Sequence, residues 1–456
     1  MTLDSIDGIG LGERLATGDI HASEVVEGAL RLTRTPQAEG TFITMTIERA
    51  IGQATAADAR YATGHARSSL DGVPVAVKDL FDLIGTVTTA GSRTRSALPP
   101  AEHDACVVGR LFDAGMVCIG KTNLSEFALG GLGVNPHFGT PLNPTGRDDA
   151  RLAPGGSSSG SAVAVALGIV PIAVGTDTSG SVRVPAALCG VIGYKTSRGR
   201  YGDDGMLPLS PTLDSIGIFA TSMRDIIATD AVLATAPPAP SAPEDGRPVR
   251  LVIPRGELLD DCAPPVRRRF QECTAFLAKQ GVQVEERRLP ALTRAQEVMD
   301  RHTSIVEAEA HARYRHLLHS NQGARVDPAV IRRLARFAAQ PRDPGPVHQA
   351  MKRLRVDIGH ELGDALLACP TVRHTAPPLA PLLADERLYD LVNRQTLRTT
   401  MLLSHLGMPG VTLPIGTPRT GPVGLLLSAP SGGDLPLLAG ASRVSPMTTG
   451  PTAYAS

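Results

Sequence analysis

Two glycine-rich, serine-bearing turns constrain this chain more than any other feature. The first is Pro154-Gly155-Gly156-Ser157-Ser158-Ser159-Gly160-Ser161, and the second is Gly175-Thr176-Asp177-Thr178-Ser179-Gly180-Ser181-Val182-Arg183. Only a small-residue apolar segment separates them, which predicts a tightly packed helix over 162–167 and a strand over 170–174. Glycine at these positions lets backbone N–H groups converge on a small anionic centre, because no Cβ blocks the approach. The hydroxyls offer a nucleophile and a proton carrier. Together they suit acyl transfer, in which an oxyanion must be stabilised as it forms.

The bulk composition excludes several other classes. Lys+Arg and Asp+Glu both number 45, so nothing steers the chain towards nucleic acid or an anionic membrane. Aromatic residues are 3% and Trp is absent, which argues against stacking platforms for bases or sugars. Cys106, Cys118, Cys189, Cys262, Cys273 and Cys369 are widely spaced, with no Cys-x-x-Cys pair. They suit buried thiols in a reducing compartment, and a cytoplasmic location is expected. No signal-peptide pattern opens the chain, and no apolar run reaches the roughly 18 to 20 residues of a membrane span.

The pattern along the chain predicts an α/β fold. Residues 11–66 read as helices, and Gly72-Val73-Pro74-Val75-Ala76-Val77-Lys78-Asp79 reads as a buried strand. A helix over 105–114, a strand over 116–119 and a turn over 120–123 continue the alternation. A strand is expected at 249–253, and a linker-like Pro-rich loop at 235–248. Helices are predicted over 265–280, 293–318 and 332–362, the last broken in two by Pro341, Pro344 and Pro346. Strand character returns at 410–415 and 424–428. Such alternation implies a largely buried mixed sheet covered by helices.

Generic motifs offer competing chemistries. Gly115-x-x-x-x-Gly120-Lys121-Thr122 fits a phosphate-binding loop, but its intervening Met116-Val117-Cys118-Ile119 is an apolar strand. Gly156-Ser157-Ser158-Ser159-Gly160 fits a nucleophile elbow centred on Ser158, with His374 or His405 as recruitable base. The polar, proline-terminated residues before it make a poor central strand. Twelve histidines contain no His-Glu-x-x-His, and Arg313 and Arg315 flank His316 and His319, so no metal is expected. Lys78 remains. It either pairs with Asp79 or Asp82, or serves as a desolvated base for the serines. Bringing its pKa near neutrality costs on the order of 4–5 kcal/mol, which the fold must supply.

From Gly72–Asp79 through Gly120-Lys121-Thr122-Asn123-Leu124-Ser125-Glu126-Phe127, the two serine turns, Cys189-Gly190-Val191-Ile192-Gly193-Tyr194-Lys195, 208–217 and Met408-Pro409-Gly410, the chain resembles the amidase signature family. That resemblance implies an α/β/α sandwich with a central mixed, twisted β-sheet covered by helices. It implies one domain over 1–456: N-terminal helices (1–66), a signature core (67–235), a variable helical cover of the substrate site (249–400) and a C-terminal return to the sheet (401–456). It further implies a Ser–cis-Ser–Lys triad, with Ser181 as nucleophile, Ser157 as bridging serine after a cis peptide, and Lys78 as base. The amides of Thr178, Ser179 and Gly180, with that of Ser181, become the oxyanion hole. Gly130, Gly131, Leu132 and Ser158 become substrate-binding residues. Asp177 and Arg183 are expected to brace the second turn as ion partners. No cofactor is implied. The substrate is a small amide, a carbamate, a biuret-like compound or an ester, and a homodimer is compatible. The family also contains glutamine amidotransferase A-type subunits, which leaves that activity as the alternative. Ser179 departs from the glycine that many relatives carry there.

Overall fold

Alternate residues along the central strands enter different apolar clusters, because strand side chains point to opposite faces. Val75 and Val77 join one cluster while Ala76 joins another, and Val174 and Ala173 divide in the same way. Both faces of the sheet are therefore covered, which explains the continuous apolar runs of these strands.

The computed structural model describes residues 6–146, 150–235, 248–339, 343–416 and 420–448. Its centre is an eleven-stranded sheet. The strands are β1 (Phe42–Met45), β2 (Pro74–Lys78), β3 (Val117–Thr122), β4 (Ile172–Asp177), β5 (Ile192–Lys195), β6 (Ser215–Ala220), β7 (Arg250–Pro254), β8 (Gln283–Arg287), β9 (Leu366–Pro370), β10 (Gly410–Pro414) and β11 (Gly424–Ser428). They lie in the order β1-β3-β2-β4-β6-β5-β10-β11-β9-β7-β8. β3, β2 and β4 are parallel, as are β9, β7 and β8, and every other contact is antiparallel. The mixed α/β sheet expected from the sequence is present.

Helices Cys106–Asp113, Met223–Leu233, Pro264–Lys279 and Asp434–Thr448 pack on the face of Val75 and Val77. Helices Ala22–Leu32, Ile47–Ala62 and Ser159–Ala166 cover the other face near β2 and β4. Helices Pro290–Arg301, Ile305–Tyr314, Pro328–Ala339, Gly345–Leu362 and Glu386–His405 form a further group, packed with Leu367, Cys369 and Leu426 of β9 and β11. Among the described residues no helix is long and apolar enough to cross a membrane.

Three expectations need correction. Residues 11–66 are not all helical: β1 interrupts them and pairs antiparallel with β3 at the sheet edge. The expected turn at 120–123 is instead largely strand, since β3 continues through Thr122. Its polar residues are tolerated in a buried strand because Lys121 Nζ meets Asp79 Oδ1 at 2.6 Å and donates to Val87 O and Thr88 Oγ1. Gly120 is required by close approach, since a Cβ there would lie 2.5 Å from Thr44 O of β1. The helix expected over 293–318 breaks after Arg301, and the new start is held by Ile305 N–H donating to His405 Nε2 at 3.2 Å. Of the expected loop at 235–248, residues 236–247 lie outside the described residues.

Lys121 and Asp79 are both fully buried. Lys121→Met should strand the carboxylate and lower stability by about 3–5 kcal/mol in urea unfolding, and Lys121→Met with Asp79→Leu should recover most of that loss. An unchanged midpoint for the single variant would show that the pair does not hold this end of the sheet.

Candidate active site

Lys78 ends β2, and Thr176 and Asp177 end its parallel neighbour β4, with Val77 opposite Val174. Their carboxyl ends are therefore adjacent, the usual location of ligand sites in such sheets. Lys78 is fully buried, and its Nζ donates to Ser157 Oγ at 2.7 Å and Thr176 Oγ1 at 2.8 Å. Burial lowers its pKa to about 7, although the charges of Asp214 and Asp177 pull it upwards. Both carboxylates have other partners. Asp214 accepts from Thr178 Oγ1 at 2.5 Å and from the amides of Leu209 and Ser210. Asp177 accepts from Arg183 Nε and Nη2 at 3.0 and 2.9 Å. Burial opposes its ionisation, yet Arg183, Lys195 and backbone amides hold it down at about 2. The ion-pair alternatives for Lys78 are not what forms, because Asp79 faces Lys121 and Asp82 accepts from Thr88 Oγ1.

The two serine turns meet above this lysine. The Gly156–Ser157 peptide is cis. Ser157 O accepts from the amides of Ser125 and Ser159 at 3.1 and 2.9 Å, which fixes the turn at the start of helix Ser159–Ala166. Ser158 N–H donates to Ser181 O at 3.2 Å, joining the first turn to the second. Among the described residues no hydrogen bond joins the Ser157 and Ser181 hydroxyls.

Asp177 organises the second turn by accepting from the amides of Gly180 and Val182 at 2.7 and 3.1 Å. The Gly180 amide is already engaged, while those of Thr178, Ser179 and Ser181 have no partner among the described residues. Gly180 has φ +132°, and a Cβ there would lie 2.1 Å from Thr400 Oγ1. That hydroxyl donates to Ser179 O at 2.6 Å, tying helix Glu386–His405 to the turn.

The competing motifs are not assembled. Ser158 is fully buried and its hydroxyl donates to Thr176 O at 3.2 Å. His374 contacts Thr375 O and Thr396 Oγ1, and His405 contacts Met401 O and Ile305 N, so neither reaches Ser158. The Lys121 of the phosphate-loop pattern is fully buried beside Asp79.

A cavity of about 640 Å³ opens beside the second turn, with Leu129, Gly130 and Ser179 on one wall. The opposite walls come from helices Pro290–Arg301, Ile305–Tyr314, Pro328–Ala339 and Glu386–His405. Gly130 is thus on the cavity wall, but the other expected substrate contacts lie behind it. Gly131 N–H donates to Asn393 Oδ1, Leu132 packs with Val134 and Ala153, and Ser158 faces β4.

The model of the Amidase family matches residues 24–438. 2-Amino-5-chloromuconic acid deaminase of Comamonas testosteroni is 35% identical over 390 residues, covering 84% of this chain and 83% of the relative. The A-type subunit of glutamyl-tRNA(Gln) amidotransferase from Chloroflexus aggregans is 33% identical, over 91% of this chain and 90% of its own. A solved amidase superposes with TM-score 0.84 at 30% identity, over 96% of this chain and 98% of the other.

The chain belongs to the amidase signature family.

It is a hydrolase of amide C–N bonds. In this amidase the buried lysine, the hydroxyls of Ser157 and Thr176 and the unpaired turn amides lie together, close to the Ser179 wall of the cavity. Thr176, Asp214 and Thr400 had no individual sequence signal. Thr176 is read inside a motif, whereas Asp214 and Thr400 reach the turn from distant segments.

Gly180→Ala places a side chain against Thr400 in a backbone conformation suited to glycine. It should cost about 1–3 kcal/mol in thermal unfolding and lower amide hydrolysis at least about tenfold. Wild-type stability in that variant would contradict the packing described for this turn.

Proposed function

We propose that this amidase cleaves small carboxylic amides through an acyl-enzyme, with Lys78, Ser157 and Ser181 as its proton relay. One observation carries the reading: a fully buried lysine whose pKa falls to about 7 hydrogen-bonds to a serine hydroxyl and to no carboxylate. Neutral Lys78 accepts the Ser157 proton, and Ser157 accepts the Ser181 proton as Ser181 Oγ attacks the substrate carbonyl. The amides of Thr178, Ser179 and Ser181 stabilise the oxyanion. The proton returns through Ser157 to the departing nitrogen, releasing ammonia or an amine. Water then hydrolyses the Ser181 ester by the reverse relay and frees the carboxylic acid. Carbamates, biuret-like compounds and esters are open to the same acylation.

Ser181→Ala should retain the fold by circular dichroism and lose at least about 10³-fold in kcat. Wild-type protein should carry a fluorophosphonate label on Ser181, and full activity in Ser181→Ala would refute the assignment. The similarity to the A-type subunits of amidotransferases favours one second reading, in which glutamine is the amide and a companion chain uses the ammonia. Ammonia release measured on aliphatic and aryl amides, a carbamate, an ester and glutamine separates the two, since the first reading needs no companion for turnover.

The pH dependence follows from the direction of the Lys78 shift. The ammonium cannot accept a proton, so kcat/KM should rise with pH through about 7 and level off above it. Because the Asp214 charge raises the Lys78 pKa, Asp214→Asn should move that midpoint to lower pH. A midpoint that moves upward would refute this electrostatic account.

A further inference from the structure

The segment from Ser125 to Gly130 joins the first serine turn to the cavity wall. At one end Ser125 N–H donates to Ser157 O at 3.1 Å, and at the other Leu129 and Gly130 line the cavity. Between them Phe127 and Ala128 have φ +54° and +59°, consecutive left-handed conformations in residues other than glycine. Such backbone persists only where its surroundings dictate it, and it gathers at functional sites. Here Phe127 N–H donates to Ala90 O at 2.8 Å and Ala128 N–H donates to Ser125 O at 2.8 Å. The Phe127 ring lies 4.7 Å from that of Tyr314.

Glu126, inside this segment, faces a different element. It is fully buried, its Oε2 accepts from the Asp327 amide at 2.5 Å, and its Oε1 lies 3.3 Å from His137 Nε2. Among the described residues no lysine or arginine pairs with it. Burial pushes its carboxyl up to about 7, against the pull of Ser92 and the Asp327 amide. A carboxyl buried without a cation is costly, and the bond to Asp327 offsets part of that cost. Asp327 starts the helix Pro328–Ala339: its carboxylate accepts from Ala329 N–H at 2.8 Å, and its carbonyl from the amides of Val330 and Ile331 at 2.9 and 3.1 Å. That helix brings Arg333, Arg336 and Phe337 to the cavity, and Arg333 Nη1 donates to Leu129 O. Two ties, one at its start and one midway, therefore fasten the helix to the segment that touches Ser157.

We propose that Glu126 is a positioning residue for substrate binding, which fastens the helix Pro328–Ala339 to the serine turn so that the cavity is formed before a substrate enters. This rests on the assignment of the serine turns as the acylation centre. Glu126 acts through the Asp327 amide and touches no reacting atom. The part of the substrate in the cavity then meets a wall already in place, and no binding energy goes into ordering the helix. The bond from Ser125 to Ser157 is made by backbone and stays when the Glu126 side chain is removed. Loss of Glu126 therefore weakens substrate binding and leaves the acylation step nearly unchanged.

The test uses the amide that wild-type enzyme hydrolyses fastest in a panel of aliphatic and aryl amides. Glu126→Ala should raise KM at least about tenfold and change kcat less than about threefold. Glu126→Gln keeps an acceptor for the Asp327 amide and should hold KM within about threefold of wild type. Asp327→Pro deletes the same hydrogen bond from the helix side, and Val326 before it, at φ −99° and ψ 149°, accepts a following proline. It should raise KM as Glu126→Ala does, and the double variant should be no worse than the worse single, because both remove one interaction. In hydrogen exchange read by mass spectrometry, the amides of 330–339 should exchange at least about tenfold faster in Glu126→Ala, with those of β2 unchanged. If Glu126→Ala does not fold, Asp327→Pro decides by the same two measurements. An unchanged KM, a loss confined to kcat, or a glutamine variant as impaired as alanine would overturn the proposal. Unaltered exchange over 330–339 would overturn it without any measurement of turnover. Failure of the catalytic assignment looks different: Ser181→Ala would stay active and the fluorophosphonate would not mark Ser181, while the exchange of the helix would still respond to Glu126.

Discussion

The structure turns on an amine taken out of water without a carboxylate beside it. Lys78 is enclosed at the end of β2, and its two hydrogen bonds go to the hydroxyls of Ser157 and Thr176. The nearest acidic groups act on it only through space. Arg183 and the turn amides hold Asp177, while Thr178 and two further amides hold Asp214. Burial therefore outweighs attraction, and the ammonium form is disfavoured. A direct ion pair would have reversed that balance, as a charged partner favours the charged form.

The scaffold keeps those carboxylates occupied by assigning each a separate cation or donor set. Lys121 lies one strand away and is equally buried, but it faces Asp79 and has an ion pair where Lys78 has none. Arg183 links Asp177 to Thr400 O and Ser404 Oγ, so helix Glu386–His405 is clamped to the same turn. The cavity wall formed by that helix and the serine turn are thus parts of one hydrogen-bonded unit. Close backbone approach is the second requirement, which is why a residue without Cβ sits at Gly180.

Much of this was legible along the chain. β2 and the helix between the serine turns follow from apolar runs and small residues, and β10 and β11 from their β-branched and leucine patterns. β1 was not, since four residues beside helices carry too little periodicity. β3 was cut short because Gly-Lys-Thr reads as a turn until Asp79 is seen opposite Lys121. Glu386–His405 left no reading of its own, yet it supplies Asn393 to Gly131 and Thr400 to Ser179.

The sequence by itself determined the class of fold and the family, and it singled out Lys78 and the two serine turns for attention, because these depend on local periodicity and contiguous motifs. Only the tertiary structure decided which charges remain unpaired. It gave Asp79 to Lys121, left Lys78 among hydroxyls, engaged the Gly180 amide with Asp177 and brought Arg333 to Gly130. The physical reason is that burial and electrostatic pairing depend on distances across the fold, between residues that are far apart along the chain.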